Sequence, residues 1–445
     1  MIRLAELVQA ENRADADRRA GGRVPDVFRQ PGAAQEGHAR WEAARQALTG
    51  AREAGTGREG GGMSITYGAA VNADRTCSGV MTTHRHTALK GRVKVTVLVP
   101  AHNEARDIGT TIKSIQGQSR PPDEIVVMCD NCTDNTAGVA TGHGVRVLNS
   151  VKNQGRKAGA MNQALRVILS DLEDDDLVVC MDADTVIEHD MIRNAESLFW
   201  HQPRLGAVSS NHLIEYKRTP IELLQAMEYE RDRRMIGRRK GRYGCMTGMA
   251  AMYRVHAMRD VVAAYGSVYD DTNWTEDWKL TIALKHLRWD MVRPQNCLAT
   301  TIPVSTVKGL FIQRERWARG YIQTLMQFGV TRWTAFPWIR QAGLAWGLAM
   351  RVAVLYLMIL GRDHLFAPWV LLIMGLMIAD SLNTAWHAGW KARLVALVFP
   401  IEIAYSSVLT AAILSGYFKQ ITGAGSSDTW KRVRSLCRLI KNHRS

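Results

Sequence analysis

Leu177-Val-Val-Cys-Met-Asp-Ala-Asp-Thr185 is the stretch whose reading decides the fold. Five β-forming residues lead into two carboxylates two positions apart, the pattern of a buried strand delivering acidic groups to the carboxyl edge of a sheet. Alternation along a strand sends Asp182 and Asp184 to the same side. Two hard anionic oxygens facing a crevice suit Mg2+ or Mn2+, and such an ion can neutralise the charge of a departing diphosphate. An Asp-x-Asp on its own reads more simply as a solvated turn. The neighbouring segments must decide between the two.

Upstream, the chain repeats one unit. Val93-Lys-Val-Thr-Val-Leu-Val99 reads as a strand and Pro100-Ala-His-Asn-Glu104 as its turn, with Ile108, Ile112 and Ile115 marking one face of the following helix. Asp123-Glu-Ile-Val-Val-Met-Cys129 is the next strand, and Asp130-Asn-Cys-Thr-Asp-Asn-Thr136 caps another helix. Val145-Arg-Val-Leu148 and a helix from Lys157 to Leu169 complete the approach to the acidic pair. Strands alternating with helices at this spacing call for an α/β fold with a mostly parallel sheet. Ligands of such sheets bind beyond the carboxyl ends of the strands, so the turns at 100–104, at Asp130 and at Asp182/Asp184 should converge.

Downstream, Thr275-Glu-Asp277 precedes a helical run from Trp278 to Leu287, and Gln313-Arg-Glu-Arg-Trp-Ala-Arg-Gly320 lies in a helix from Gly309 to Phe328. Together with Val-Pro-Ala-His-Asn-Glu, Asp130 and Gly155-Arg-Lys-Ala-Gly-Ala-Met-Asn162, these segments resemble family 2 glycosyltransferases of GT-A fold. The likeness spans roughly residues 93 to 420. It points to the membrane polysaccharide synthase branch, which includes cellulose, chitin-oligosaccharide, hyaluronan and poly-N-acetylglucosamine synthases.

The resemblance implies a UDP-sugar donor held by Pro100, Glu104, Asp130, Lys157, Asp182 and Arg316, with Asp130 on the uracil and Arg316 on the pyrophosphate. It places an acceptor against Glu276, Gln313 and Trp317. Of the acidic pair, Asp184 is the preferred metal ligand, and Asp182 faces the sugar or ribose. Sugar transfer needs a base for the acceptor hydroxyl, and Asp277 takes that role if a partly buried cleft raises its pKa. Plainer readings stand beside these: Asp130 as a helix cap, Lys157 as a surface lysine, the Thr-Glu-Asp carboxylates as a helix start, and the 309–328 helix as a basic amphipathic surface helix. Gly244-Cys-Met-Thr-Gly-Met-Ala-Ala-Met-Tyr-Arg254 is small enough in its side chains to form an acceptor-side loop, and the preceding Arg231 to Arg242 reads as a solvated helix face.

The 57 Lys and Arg against 42 Asp and Glu give a net charge of +15, which implies anionic partners without choosing among lipid, nucleotide and nucleic acid. The motifs choose nucleotide sugar, glycan or lipid acceptor and the bilayer, with no nucleic acid. Seven cysteines, scattered singly, argue against a secreted disulfide framework, and the Cys129/Cys132 pair has no partner pair at zinc spacing. Residues 1–90, rich in Ala, Gly and Arg, read as a disordered or loosely helical extension without a signal-type apolar core; Met63 and Met81 are alternative starts.

The expected layout places a cytoplasmic catalytic domain at 91–308, interfacial helices at 309–340, transmembrane segments at 341–418 and a basic tail at 419–445. Apolar runs at 343–361, 366–386 and 394–418 approach or reach the length of a bilayer crossing. Arg351 makes the first run marginal unless Asp380 or Glu402 pairs with it. A multi-pass protein of the cell membrane follows. Three crossings put the C-terminus outside, whereas the basic tail favours the inside, so either the 394–418 run, broken by Pro400, is re-entrant or one other run does not cross. Two other readings remain: transfer of one sugar to a lipid or polyprenyl phosphate, and a non-enzymatic basic protein holding phosphates or nucleic acid at the membrane.

Overall fold

Strand β1 (Val95–Ala101) is buried at every position, as a strand in the middle of a sheet covered on both faces must be. The computed structural model describes residues 92–423 apart from 215–218, 239–240, 242–243 and most of 361–398. The expectations for residues 1–90, the 366–386 run, the Arg351 pairing and the basic tail beyond 423 lie outside the described residues and side chains.

After β1 come α1 (Ile108–Gln116), β2 (Glu124–Cys129), α2 (Thr136–Gly142), β3 (Arg146–Asn149), α3 (Arg156–Ile168), β4 (Leu177–Met181), β5 (Val186–Ile187) and α4 (Met191–His201). Then follow β6 (Leu205–Ser209), β7 (Asn211–Ile214), α5 (Pro220–Arg238), β8 (Ala250–Arg254), α6 (Val255–Tyr265), α7 (Glu276–His286), β9 (Asp290–Val292) and β10 (Leu298–Thr301). The C-terminal part holds α8 (Val307–Phe328), α9 (Ala335–Ile359) and α10 (Phe399–Thr422).

The main sheet has the order β3-β2-β1-β4-β8-β6-β9. The first four of these strands run parallel, β8 is antiparallel to both its neighbours, and β6 is parallel to β9. This is the α/β, mostly parallel architecture that the strand and helix alternation calls for. A small sheet, β5-β10-β7, sits beside it.

Alternation sorts the core into two layers. Val95, Val97 and Val99 pack with Val127 and Val179 on one face of the sheet, while Leu98 packs with Val126, Met128, Val178 and Cys180 on the other. The register aligns Ala101 with Cys129 and Leu98 with Cys180, so β1, β2 and β4 end on one edge. Antiparallel β8 starts on that edge, with Ala250 opposite Met181.

Three expectations are corrected. Strand β4 stops at Met181, and the Thr185 N–H turns back to the Asp182 carbonyl at 3.4 Å. The acidic pair therefore occupies a turn rather than alternating along a strand. The segment Ala250–Arg254 is a fully buried strand, which leaves only 244–249 as a loop. The arginines of α5 are largely half-buried, with Arg233 and Arg234 paired to Glu230 at 2.9 and 3.1 Å, so that face is packed rather than solvated.

Helix α10 lies along α8. A Cβ on Gly416 would meet the Glu315 carbonyl oxygen at 2.6 Å, so the two backbones approach each other where glycine allows it. Among the described residues, no helix is long and apolar enough to cross a membrane.

Candidate active site

At the carboxyl edge of the sheet, Lys157 stands in the second position of α3, its stem covered and its ammonium bonded to the Asp182 carboxylate. The same ammonium lies 3.8 Å from Glu276 and 3.5 Å from the Gly248 carbonyl. Burial alone would pull the Lys157 pKa down, but Asp182 and then Glu276 override it and hold the ammonium charged, above its ordinary value. Lys157 is thus no plain surface lysine. It ties the Asp182 turn to the Thr-Glu-Asp segment, which lies about a hundred residues further along the chain.

Beside it, Asp277 is held at both oxygens: Oδ1 accepts the Trp278 N–H at 2.7 Å and Oδ2 the Gly248 N–H at 3.1 Å. Burial and the neighbouring Glu276 push its pKa up to about 6, against the opposing pull of Lys157 and the two N–H groups. Thr275, not a carboxylate, stands at the N-cap of α7, and it makes no side-chain cap bond. Asp277 therefore serves a first-turn N–H of α7, as a helix-start acid does, while its other oxygen turns to Gly248. Lys157, Gly248, Glu276 and Asp277 line a small cavity together with Tyr253 and Tyr269.

Gly248 carries only a loose signal at the level of sequence, as part of the small-residue segment 244–254. A Cβ there would stand 3.2 Å from the Lys157 ammonium and 3.7 Å from Asp277, so the backbone comes close to both charged groups. Thr247, next to it, is fixed by Ser209, whose Oγ accepts the Thr247 N–H at 3.0 Å.

Asp184 is exposed in the turn after β4, yet the bulk of the protein around its carboxyl and then the Asp182 charge raise its pKa to about 6. Among the described residues, no group of three or more His, Cys, Asp and Glu could hold a metal ion by itself. The pair does fit a site of another kind. With Asp182 engaged by Lys157, Asp184 offers one free-facing carboxylate, and Mg2+-like ions commonly take one or two carboxylates with the rest from substrate phosphate.

Asp130, buried at the end of β2, does not cap α2. Its Oδ1 accepts from Asn131 Nδ2 at 3.0 Å, Ser150 Oγ at 2.8 Å and Asn153 Nδ2 at 2.8 Å. The first turn of α2 is served by Asp134, which accepts the Thr136 N–H at 3.0 Å. Pro100 lies within β1 itself, and the Glu104 N–H is held by Thr136 Oγ1 at 2.8 Å, which fixes the turn after β1 against α2.

The Gln313 to Gly320 segment lies on α8 and docks on the Thr-Glu-Asp loop. A Cβ on Gly320 would fall 2.6 Å from the Thr275 nitrogen, Gln323 accepts the Trp274 N–H at 3.3 Å, and Trp278 stacks on Tyr321 at 4.9 Å between centroids. Trp317 is half-buried, and the Arg314 guanidinium lies over its ring at 4.2 Å. Gln313 is half-buried, with its Oε1 enclosed and unbonded among the described residues. Arg316 is exposed. The structure thus brings Lys157, Asp182, Glu276 and Asp277 together at one point, and sets the α8 motif against the same loop.

The description "Glycosyltransferase like family 2" matches residues 92–320, just over half of the chain. The chain belongs to this family. The family 2 domain is 27% identical over 240 residues to the poly-β-1,6-N-acetyl-D-glucosamine synthase of Staphylococcus epidermidis, covering 52% of this chain and 56% of that protein. It is likewise 27% identical over 260 residues to the synthase of the same name from Staphylococcus aureus strain COL, covering 55% and 58%. The matched region spans little more than half the length of these relatives. Among solved structures, a mannosyltransferase from Pyrobaculum calidifontis in complex with GDP-Man and Mn2+ is similar with a TM-score of 0.46 and 17% identity, over 88% of this chain and 98% of that one. A glucosyl-3-phosphoglycerate synthase from Mycobacterium tuberculosis, in complex with Mn2+, UDP and glucosyl-3-phosphoglycerate, has a TM-score of 0.37 and 17% identity over 54% of this chain and 81% of that one.

Proposed function

We propose that the chain is an inverting, metal-dependent glycosyltransferase that moves a sugar from a UDP-sugar to the growing end of a β-linked glycan at the cytoplasmic face of the cell membrane. The observation that carries the reading is the cluster in which Lys157 bonds Asp182 and adjoins Glu276, while the raised Asp277 is held open beside them.

Asp130, with its Oδ1 already steered by three side-chain donors, keeps its other oxygen for the uracil N–H. Asp182 and Lys157 face the ribose, sugar and diphosphate, with Pro100 and Glu104 shaping the neighbouring turn and the exposed Arg316 reaching the pyrophosphate. A divalent ion on Asp184, Mg2+ or Mn2+, supplies positive charge to the leaving diphosphate. Trp317 presents an indole to the flat face of the acceptor sugar, with Gln313 and Glu276 on its hydroxyls. Asp277 accepts the proton of the attacking hydroxyl, the acceptor oxygen bonds the anomeric carbon, and the bond to the β-phosphate oxygen breaks on the opposite face. An α-linked donor then gives a β-linkage.

The names of the curated relatives put N-acetylglucosamine first among sugars to try. Membranes carrying the protein, supplied with Mg2+ or Mn2+ and a panel of UDP-sugars beginning with UDP-N-acetylglucosamine, should release UDP and build a product that can be sized on a gel. A single-sugar lipid product would favour the non-processive alternative. Absence of divalent-dependent UDP release with every donor would overturn the reading.

A further inference from the structure

Arg314 lies between Gln313 and Arg316 in the α8 motif, and its side chain is 6–7% exposed. A buried guanidinium is stable only with partners, and it has two from other helices. Its Nη2 donates to Glu228 Oε2 on α5 at 2.8 Å, and the same carboxylate oxygen accepts the Tyr405 hydroxyl of α10 at 2.6 Å. Three helices distant in sequence thus meet at one oxygen, and the guanidinium plane lies over Trp317 at 4.2 Å and over Tyr229 at 5.8 Å. Arg314 Nε and Nη1 make no hydrogen bond among the described residues, so the ring contacts and the Glu228 and Tyr405 side chains fix the guanidinium.

An indole that binds a sugar must hold its angle, because the contact is between two flat faces. Trp317 is only half-buried, and stacking on a fixed guanidinium is a way to restrict it. The remaining contacts of α10 hold the register of the same helix: Ser415 Oγ donates to Glu315 at 2.8 Å, Lys419 pairs with Glu315 at 2.6 Å, and Arg319 Nε donates to Gln420 at 3.2 Å. Resting on the proposed role of Trp317 in acceptor binding, we propose that Arg314 is a positioning residue for that indole, and that Glu228 and Tyr405 form a clamp through which α10 sets the acceptor site.

The test uses the full-length protein in detergent or nanodiscs, with Tyr405→Phe, Glu228→Gln and Arg314→Lys. Lysine keeps a cation near Glu228 but has no plane to stack, so it should not restore the wild-type behaviour. Each variant should raise the acceptor KM about tenfold or more, with kcat changed less and UDP affinity unchanged. Tyr405→Phe removes one oxygen atom and guards against loss of folding in the other two. A second measurement does not depend on turnover: 19F spectra of 5-fluorotryptophan-labelled protein, with the Trp317 resonance assigned by Trp317→Phe, should show that resonance moved or broadened in all three variants.

If the resonance moves but neither wild type nor variants transfer sugar, the enzymatic reading falls and the clamp stands. If Tyr405→Phe and Glu228→Gln leave both the resonance and the acceptor KM at wild-type values, the clamp is overturned. Equal losses of UDP affinity and acceptor affinity would also overturn it, by showing a general rather than a local effect.

Discussion

In the proposed reaction Asp277 is the base, and its environment sets the sign of the expected pH response. Burial and Glu276 hold its pKa up at about 6, so the base is protonated and silent below that pH and available above it. The log of kcat/KM should therefore climb through about pH 6 and level off near neutrality. Asp277→Asn should lose about 100- to 10,000-fold in transfer, the range general-base catalysis supplies, with UDP affinity retained; wild-type rates would remove it from the mechanism. Lys157 lowers the Asp277 pKa, so Lys157→Met should move the acid limb of the active fraction to higher pH, as well as weaken donor binding by freeing Asp182. A limb that stays in place would show that the two groups do not sense each other. Asp182, Glu276 and Asp277 were legible in the sequence as candidates through the family resemblance of their motifs, and the fold brings all three to Lys157 or its cavity. The Lys157 to Asp182 bond was not, since it joins a helix start to a turn 25 residues away, and only the parallel sheet brings those together.

Helices α7 and α8 carry the two downstream motifs, and the contact between them is where spacing alone says least. The sequence shows Gly320 at the end of the motif. That it must be glycine follows only from the fold, in which Thr275 leaves no room for a Cβ. Gly320→Ala should push α8 off the loop that carries Glu276 and Asp277, costing roughly 1–3 kcal/mol of stability as overpacked sites do, and lowering transfer more than UDP binding. Gly347→Ala on α9 is the control, because nothing lies within 4 Å of a Cβ there and alanine favours the helix. A thermal melt and a transfer assay check both; equal melting of the two variants would remove the close contact from the account. Strands β1 to β4 were readable to within about two residues from their apolar runs, whereas the short β5, β6, β7, β9 and β10 were not read from the sequence. Misplaced were the ends and the exceptions: the acidic pair sits in a turn because β4 pairs only to Met181 with β8, and Ala250–Arg254 is a core strand because it is paired on both edges and covered on both faces. Arg314 escaped notice for a related reason. Its partners, Glu228 and Tyr405, are 86 and 177 residues from Arg314 and Glu228 respectively, beyond any periodicity.

At the scale of the whole molecule, the catalytic half buries its apolar residues in two layers, while the C-terminal helices present theirs outward. On α9, Trp346 is 70% exposed and Ile359 75%, with Val352 and Tyr356 at 61%, and on α10 Phe418 and Ile421 stand out at 64% and 69%. Scattered apolar side chains are ordinary on a protein surface, but two C-terminal helices each bearing several large ones form the kind of surface that a partner or a lipid covers. Membrane attachment by charge and attachment by apolar burial have different signatures. Charge attraction of a +15 protein to anionic headgroups is screened at high salt, whereas apolar burial is not. We expect the full-length protein to stay with the membrane pellet through 1 M NaCl and through alkaline carbonate, and to leave it only with detergent. A truncation after residue 334, which removes α9 and α10, should shift the protein to release by salt if the basic face of α8 still touches the headgroups. Release of the full-length chain by salt alone would show that α9 and α10 lie against the surface or against another protein, and that the catalytic half works without a spanning segment.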